Sequence, residues 1–480
     1  MRYWKRSLSL LSAAALLVLS TGCGAASASP TAKTEPVTIT VWNYYNGDQL
    51  ESFNRLVDEF NETTGQEKGI TVESYSQGSV DDLETNVLAA AEGKVGADPM
   101  PNICSSYADT AYTLDQMGQV EDLSGYLSEE ERSEYIANYL AEGDFSGDGS
   151  IKIFPVAKST EVLFLNQTDW EPFAAATGAT YDDLKTIEGV ISTAEKYYNW
   201  TDSQTAQPND GRALIGRDAM ANYFLIGAKQ LGCSIFQVEN GKMVLNFDKD
   251  VIRQLWDNFY VPFLKGYVAA SGKFRSDDVK TGTILGYIGS SSSSTFFPSQ
   301  VVTDDSDAHD IERLVLPCPV FQNGENYAVQ QGAGMIVTKA SDAEVRARVE
   351  FLKWFTAPEH NIAFSVGSGY LPVTTAGNNM DAIRSSGLDL SSPMEQVLST
   401  AVSTINSSSL YTTPAFPNAL SARSILEYNL SDCTKADRAA VVDRMAQGQS
   451  FEEASAEFLS DDYFEAWYAS TLPALQEFEG

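Results

Sequence analysis

The chain has 480 residues, of which 43% are hydrophobic, 11% aromatic and 20% charged. That balance belongs to a folded globular protein, because disordered chains lack the apolar side chains needed to offset chain entropy; at roughly 100–200 residues per domain, the length allows about two to four domains. Acidic residues number 65 against 32 basic ones, for a formal net charge of −33. A surface this negative repels phosphate backbones, whose binding rests on Lys and Arg contacts, so nucleic acid is not an expected partner. The two histidines, His309 and His360, have no second histidine at metal-ligand spacing, which excludes HExxH-type zinc chemistry. No metal or other cofactor is expected.

Arg2, Lys5 and Arg6 precede a short apolar run, Leu8 to Leu19. It falls short of the roughly 20 residues that span a bilayer core, so it reads as the h-region of an export signal covering residues 1–22. Thr21-Gly22-Cys23 sets small residues directly before a lone cysteine, a pattern similar to a bacterial lipobox, although Ser20 stands where leucine is usual. Lipidation of Cys23 would anchor the exported chain to a membrane; the alternative is ordinary secretion with cleavage near Ala26 or Ala28. Removal of residues 1–22 takes away three basic residues and no acidic ones, leaving −36. Residues 23–35 are rich in Ala, Ser and Thr and are expected to form a flexible tether. The remaining cysteines, Cys104, Cys233, Cys318 and Cys433, contain no CxxC pair, which leaves up to two disulfides open. Cys104 and Cys318 read as small buried hydrophobes.

Val37 to Trp42 is a β-branched run expected to form a buried strand, and Leu50, Phe53, Leu56, Val57 and Phe60 mark one face of a helix. Ile70 to Ser74 is the next strand, Asp81 to Ala91 the next helix, and Met100 to Cys104 opens a third strand. Strands alternating with helices across short connections predict an α/β sandwich around a mostly parallel sheet. Asp148-Gly149 signals a hairpin turn with strands on either side; a calcium loop starting at Asp144 is disfavoured because Pro155 occupies the position of the bidentate glutamate. Tyr181 to Tyr198 and Lys249 to Leu264 carry helical periodicity. The run Ser290 to Ser294 follows an apolar strand and reads as an ordered strand-to-helix turn. Ser341-Asp342-Ala343-Glu344 is a capping box, opening a helix that stops before Pro358. The last hundred residues or so read as largely helical, and no internal repeat is visible.

No catalytic motif emerges. The serine run lacks the second glycine of Gly-x-Ser-x-Gly and has no histidine beside it, and Gly211 to Gly216 is followed by Arg217-Asp218 where a phosphate loop needs Lys-Ser or Lys-Thr. Catalytic residues are therefore assigned to none, and a surface-anchored carbohydrate-active hydrolase is the alternative to a binding protein. Tyr44 and Tyr45 follow the first strand, where aromatics either stack on sugar rings or pack in the core.

Val37-Thr38-Ile39-Thr40-Val41-Trp42 and the helix ending Phe60-Asn61 resemble the start of the extracellular solute-binding proteins of bacterial ATP-binding-cassette importers, in the sugar-binding group that includes the maltose-binding protein. Met100-Pro101-Asn102-Ile103, Pro155 to Asn166, Gly332 to Val337, Ala357-Pro358-Glu359 and Gly369-Tyr370-Leu371-Pro372-Val373 extend the resemblance over nearly all of the chain after the tether. It implies two α/β lobes of the periplasmic-binding-protein type II kind, hinged around a cleft: residues 36–155 with 330–373, and 156–329 with 374–480. It implies a monomeric receptor that captures a sugar or related polar solute and passes it to permease subunits in the membrane. Within that group the chain resembles the glycerol-3-phosphate-binding branch, and the resemblance implies Asp109, Ser159, Ser290, Ser291, Gly332, Tyr370 and Arg423 as solute contacts. This chain has Val80 where that branch has a tyrosine.

Overall fold

The computed structural model describes residues 36–304 and 307–480. The export signal 1–22, Cys23 and the tether 23–35 lie outside the described residues. The β-branched run forms strand β1 (Val37–Asn43), and the predicted apolar face buries Phe53, Leu56, Val57 and Phe60 on helix α1 (Gly47–Glu62). Strand β2 (Ile70–Ser76) follows. Helix α2 (Val80–Ala91) opens on a capping box between Ser79 and Asp82, which satisfies donors that a helix start leaves free. Strand β3 (Ile103–Ser106) leads into α3 (Ala108–Gln116).

The chain then builds β4 (Glu161–Asn166), β5 (Ala213–Arg217) and helices α4 (Met220–Gln230) and α5 (Lys249–Leu264). Strands β6 (Ile284–Ser290) and β7 (Arg313–Pro317) come next, before β8 (Gly334–Val337). The capping box at Ser341 starts α6 (Asp342–Thr356), and Pro358 opens α7 (Pro358–Ser368). Helices α8 (Ser392–Ser407) and α9 (Ala419–Ala446) belong to the largely helical C-terminal part.

Two four-stranded sheets organise these elements, in the orders β8-β3-β1-β2 and β7-β4-β6-β5. In the first, β1 runs parallel to β2 and β3, and only β8 is antiparallel. The second departs from the mostly parallel expectation, because β4 is antiparallel to both β6 and β7 and only β5 and β6 are parallel. A parallel neighbour needs a long crossover over the sheet face. Strand β4 instead enters directly from the segment that leaves the first sheet, so no such crossover sets its direction.

Alternation along β4 links two cores. Val162 and Phe164 pack in the cluster that contains β1, α1 and α6, whereas Leu163 and Leu165 face the cluster of α4, α5 and α9. Both faces are buried, which is why the strand reads as one continuous apolar run. Helix α8 sends Val397, Leu398, Ala401, Val402 and Ile405 into the first of these clusters.

Three local expectations need correction. Residues 144–154 form no hairpin: the Asp144 carboxylate accepts the backbone N–H groups of Asp148 and Gly149 at 3.0 Å each, closing a side-chain-stapled loop that competes with strand pairing. The helix expected over Tyr181–Tyr198 is broken into a 3-10 turn (Tyr181–Leu184) and a helix that restarts at Ile187, where the Thr186 hydroxyl caps the Gly189 N–H. The four cysteines among the described residues are free thiols. Cys104 is buried as expected, but Cys318 is only partly so.

Phe53 is fully buried and meets Tyr45, Phe355 and Phe364 at ring-centroid distances of 5.2, 5.3 and 6.2 Å. Truncation to alanine removes these contacts and opens a cavity, so Phe53→Ala should lose roughly 3–5 kcal/mol of stability. Equilibrium urea unfolding measures this directly, through a lower midpoint at unchanged slope.

Candidate functional site

Three segments of chain pass side by side between the sheets. Ser159 and Gln331 exchange both backbone hydrogen bonds, at 2.8 and 3.0 Å, and Lys158 exchanges its own with Leu371 at 3.1 and 2.6 Å. The Lys158 side chain is fully buried; its ammonium donates to the Gly332 carbonyl at 2.8 Å and pairs with the Glu142 carboxylate. Gly332 has φ of +85°, and a Cβ there would sit 2.9 Å from the Ala157 carbonyl oxygen and 3.0 Å from Lys158 Cα. Only glycine fits this close approach.

Tyrosines cluster beside the crossing. The Tyr44 and Tyr370 hydroxyls are 3.2 Å apart, and Ala333 N–H donates to the Tyr44 oxygen at 3.3 Å. Tyr107 stacks on Tyr44 at 6.4 Å between centroids. Burial pushes all three phenols above their ordinary range, so they act as neutral hydroxyls. Tyr45 points elsewhere: it is 1% exposed and packs on Phe53, Phe364 and the edge of Tyr370. It belongs to the core, unlike its neighbour.

The serine run arrives at the same place from the second sheet. Strand β6 ends at Ser290, and Ser291–Phe296 form a 3-10 turn. Ser291 N–H donates to the Thr160 carbonyl at 2.8 Å, Gln49 Nε2 donates to the Ser292 carbonyl at 2.7 Å, and the Ser290 and Ser292 hydroxyls are 2.8 Å apart. A Cβ on Gly369 would lie 2.4 Å from Ser294 Oγ, so this turn rests directly against the Gly369-Tyr370 segment. The Thr160 and Ser291 hydroxyl oxygens are buried without a partner among the described residues.

A buried polar relay completes the junction. Arg423, on α9, donates from Nη2 to Asn222 Oδ1 at 2.9 Å, and Asn222 Nδ2 donates to Glu161 Oε1 at 3.1 Å and Gln331 Oε1 at 2.8 Å. The Glu161 carboxylate also pairs with Arg217. Burial raises the Glu161 carboxyl, while Arg217, Asn222 and Arg423 act in the opposite direction. One turn after Arg423, Glu427 accepts the Met220 and Ala221 N–H groups at 3.1 and 2.8 Å, filling the positive end of α4 with its own carboxylate.

Arg423 also faces acids from the first sheet. Burial pushes the Glu84 carboxyl up to about 7, Asp109 adds to the rise, and the Thr110 hydroxyl and Arg423 oppose it. Asp109 sits in the first turn of α3 and accepts the Thr110 N–H at 2.9 Å. The second sheet supplies Asp218, raised by burial to about 6 against the pull of Arg275.

The predicted residues Tyr44, Ser159, Ser290, Ser291, Gly332 and Tyr370 thus lie at one junction, and the polar relay joins Arg423 to it through Gln331, the neighbour of Gly332. Asp109 joins them through its electrostatic contact with Glu84. Glu84, Tyr107, Glu161 and Asn222 were not singled out by the sequence reading. Glu161 lies inside the quoted segment Pro155 to Asn166 and Tyr107 stands two residues before Asp109, so a signal existed for them; nothing local marks Asn222. An open groove of about 820 Å³ along α1, lined by Leu50, Glu51, Asn54, Arg55, Asp58 and their neighbours, lies apart from this cluster. No group of three His, Cys, Asp or Glu side chains among the described residues is placed to hold a metal ion.

Two mixed α/β sheet units meeting at crossing segments, with polar groups converging on the junction, define a two-lobe binding protein. The model of the bacterial extracellular solute-binding protein family matches residues 55–386, and the chain belongs to that family. Its fold is that of solved binding proteins. The cyclic α-maltosyl-1,6-maltose binding protein of Arthrobacter globiformis superposes with a TM-score of 0.65 at 17% identity, over 92% of this chain and 100% of that one. UgpB from Mycobacterium tuberculosis, in complex with glycerophosphocholine, gives 0.65 at 16% over 92% and 98%. MalE from Bdellovibrio bacteriovorus, bound to maltotriose, gives 0.62 at 13% over 91% and 100%. These relatives are binding proteins and not enzymes. A search of curated protein sequences found no significant match.

The raised Glu84 carboxyl has a signed consequence. Its ordinary value is 4.5 and its folded value about 7, so between these limits the folded chain holds a proton that the unfolded chain releases. Stability then falls as pH rises through that interval. Glu84→Gln removes the dependence: its melting temperature should match the parent's shape below pH 4.5 and gain on it up to about pH 7, levelling off above. Thermal melts of both proteins across this range measure the effect.

Proposed function

We propose that the chain is the solute-capturing receptor of an ATP-binding-cassette importer, taking a sugar or related polyhydroxy solute between its lobes and presenting it to membrane permease subunits. The lobes are residues 36–155 with 330–373, and 156–329 with 374–480, with α8 packing between them. One observation carries the reading: side chains from both sheets converge at the crossing segments, and two of their buried hydroxyls, on Thr160 and Ser291, have no partner among the described residues. Buried hydroxyls are normally satisfied, and a polyhydroxy solute supplies both donors and acceptors. Solute touching both lobes would favour the closed arrangement by its differential affinity.

Arg423 supports a second ligand chemistry, a glycerol phosphate or its diester, because a guanidinium offers paired donors in a fixed fork. Glu84 and Asp109 share the same surroundings, and their charge opposes a phosphate dianion. The balance favours neutral hydroxyls or a monoanionic diester over glycerol-3-phosphate itself.

A thermal-shift screen of maltotriose, other sugars, polyols, glycerophosphocholine and sn-glycerol-3-phosphate should find a solute that raises the melting temperature. Small-angle scattering with that solute should show a smaller radius of gyration, and an unchanged profile at saturation would rule out closure. Arg423→Ala should weaken binding by roughly 2–5 kcal/mol, about 30-fold or more. Wild-type affinity in that variant would remove Arg423 from the site.

Membership of an extracellular family supports the export signal, and we propose that Cys23 carries the lipid anchor. Cys23→Ala expressed in a bacterial host should leave the membrane fraction or remain unprocessed. Equal membrane retention of variant and parent would overturn the anchor.

A further inference from the structure

Asn222 is 3% exposed and sits in the first turn of α4. Its amide is used on both sides. The oxygen accepts from Arg423, while the nitrogen donates to Glu161 and to Gln331. Those partners define the orientation: the two side-chain oxygens require the NH2 group, and the guanidinium requires the carbonyl oxygen. A flipped amide would set donor against donor at Arg423 and acceptor against acceptor at Glu161.

The partners come from separate parts of the chain. Glu161 begins β4, Gln331 is the residue before Gly332 in a crossing segment, and Arg423 projects from α9. Gln331 is itself held to Ser159 by two backbone hydrogen bonds, and Glu161 is held by Arg217. Arg423 is half-buried on a long side chain with many rotamers. Its directional bond to Asn222 narrows that choice, and it runs to a side chain that is itself immobilised.

We propose that Asn222 is the positioning residue for Arg423, orienting the guanidinium toward solute and tying that orientation to the crossing segment through Gln331. The inference rests on Arg423 being a solute contact, as proposed above. Asn222 touches no solute in this role; it acts through the arginine. Losing the bond leaves the charge in place and frees its direction, so affinity falls although Arg423 remains.

A double-mutant cycle tests this. Asn222→Leu, Arg423→Ala and the double variant are titrated calorimetrically with maltotriose, glycerophosphocholine and sn-glycerol-3-phosphate, after circular dichroism has checked folding. Asn222→Leu alone should weaken binding by roughly 10-fold or more, the worth of a hydrogen bond to a charged group. In the Arg423→Ala background it should weaken binding no further. A merely structural role would lower affinity equally in both backgrounds, and that additive result would overturn the inference while leaving the site intact. Full affinity in Arg423→Ala, or no binding of any of the three probes to the parent protein at millimolar concentration, would overturn the site reading and the inference with it. Asn222→Ser, smaller and still polar, is carried through the same cycle so that a misfolded leucine variant does not decide the outcome.

Discussion

The junction between the sheets depends on one buried charge. An isolated ammonium removed from water costs several kcal/mol or more, so it stays charged only where an opposite charge and hydrogen-bond acceptors surround it. Lys158 meets that condition with Glu142 and the Gly332 carbonyl. The requirement works outward. Gly332 must lie against residues 157–159, which is where a Cβ has no room. This brings Gln331 within reach of Asn222 and Ala333 within reach of the Tyr44 hydroxyl. Leu371 is bonded to the Lys158 backbone, which places Tyr370 beside Tyr44. The buried ion pair and the backbone hydrogen bonds beside it together hold three chain crossings and the groups that flank them.

Around that fixed point the charges are nearly all accounted for within the protein. Arg217 is paired with Glu161 and Arg275 with Asp278, and the start of α4 is occupied by Glu427. Arg423 lies in the field of both Glu84 and Glu161. What the junction offers a solute is then mainly hydroxyls, neutral phenols and a guanidinium already in acidic company. On the proposed reading, such a surface would discriminate by hydrogen-bond geometry more than by net charge, because an incoming group must match fixed donors and acceptors or leave them unpaired. The overall charge of −33 adds a long-range bias against anions that salt screens within about 10 Å at ordinary ionic strength.

Where information in the sequence is local, it carried through to the structure. The helix over Lys249–Leu264 has the expected bounds, and Ser341 and Glu344 close the predicted capping box, since periodicity and caps depend on residues three or four apart. The strand at Val37 is equally legible, because β-branched side chains favour it wherever it pairs. The loop at Asp144 was misread for an instructive reason. Asp-Gly specifies a turn but not what the flanking residues pair with, and there the aspartate side chain took the backbone donors.

The site was legible only in part, since its parts are distant in the chain. Tyr44 and Tyr45 are indistinguishable by type and position, yet one hydroxyl meets a tyrosine 326 residues away while the other ring is enclosed by phenylalanines. Both follow the end of β1 at Asn43, and which of them meets the junction depends on where the third crossing passes. Glu84 acquires its raised carboxyl because packing buries it and brings Asp109 close, against the opposing pull of Arg423 on α9. Asn222 has no local mark at all, and its partner lies 201 residues on. Residue type and spacing specified most of the elements, the acidic surface and the kind of side chain available. The tertiary structure decided which of those side chains share a desolvated junction, because burial and hydrogen-bond geometry exist only once distant segments have packed.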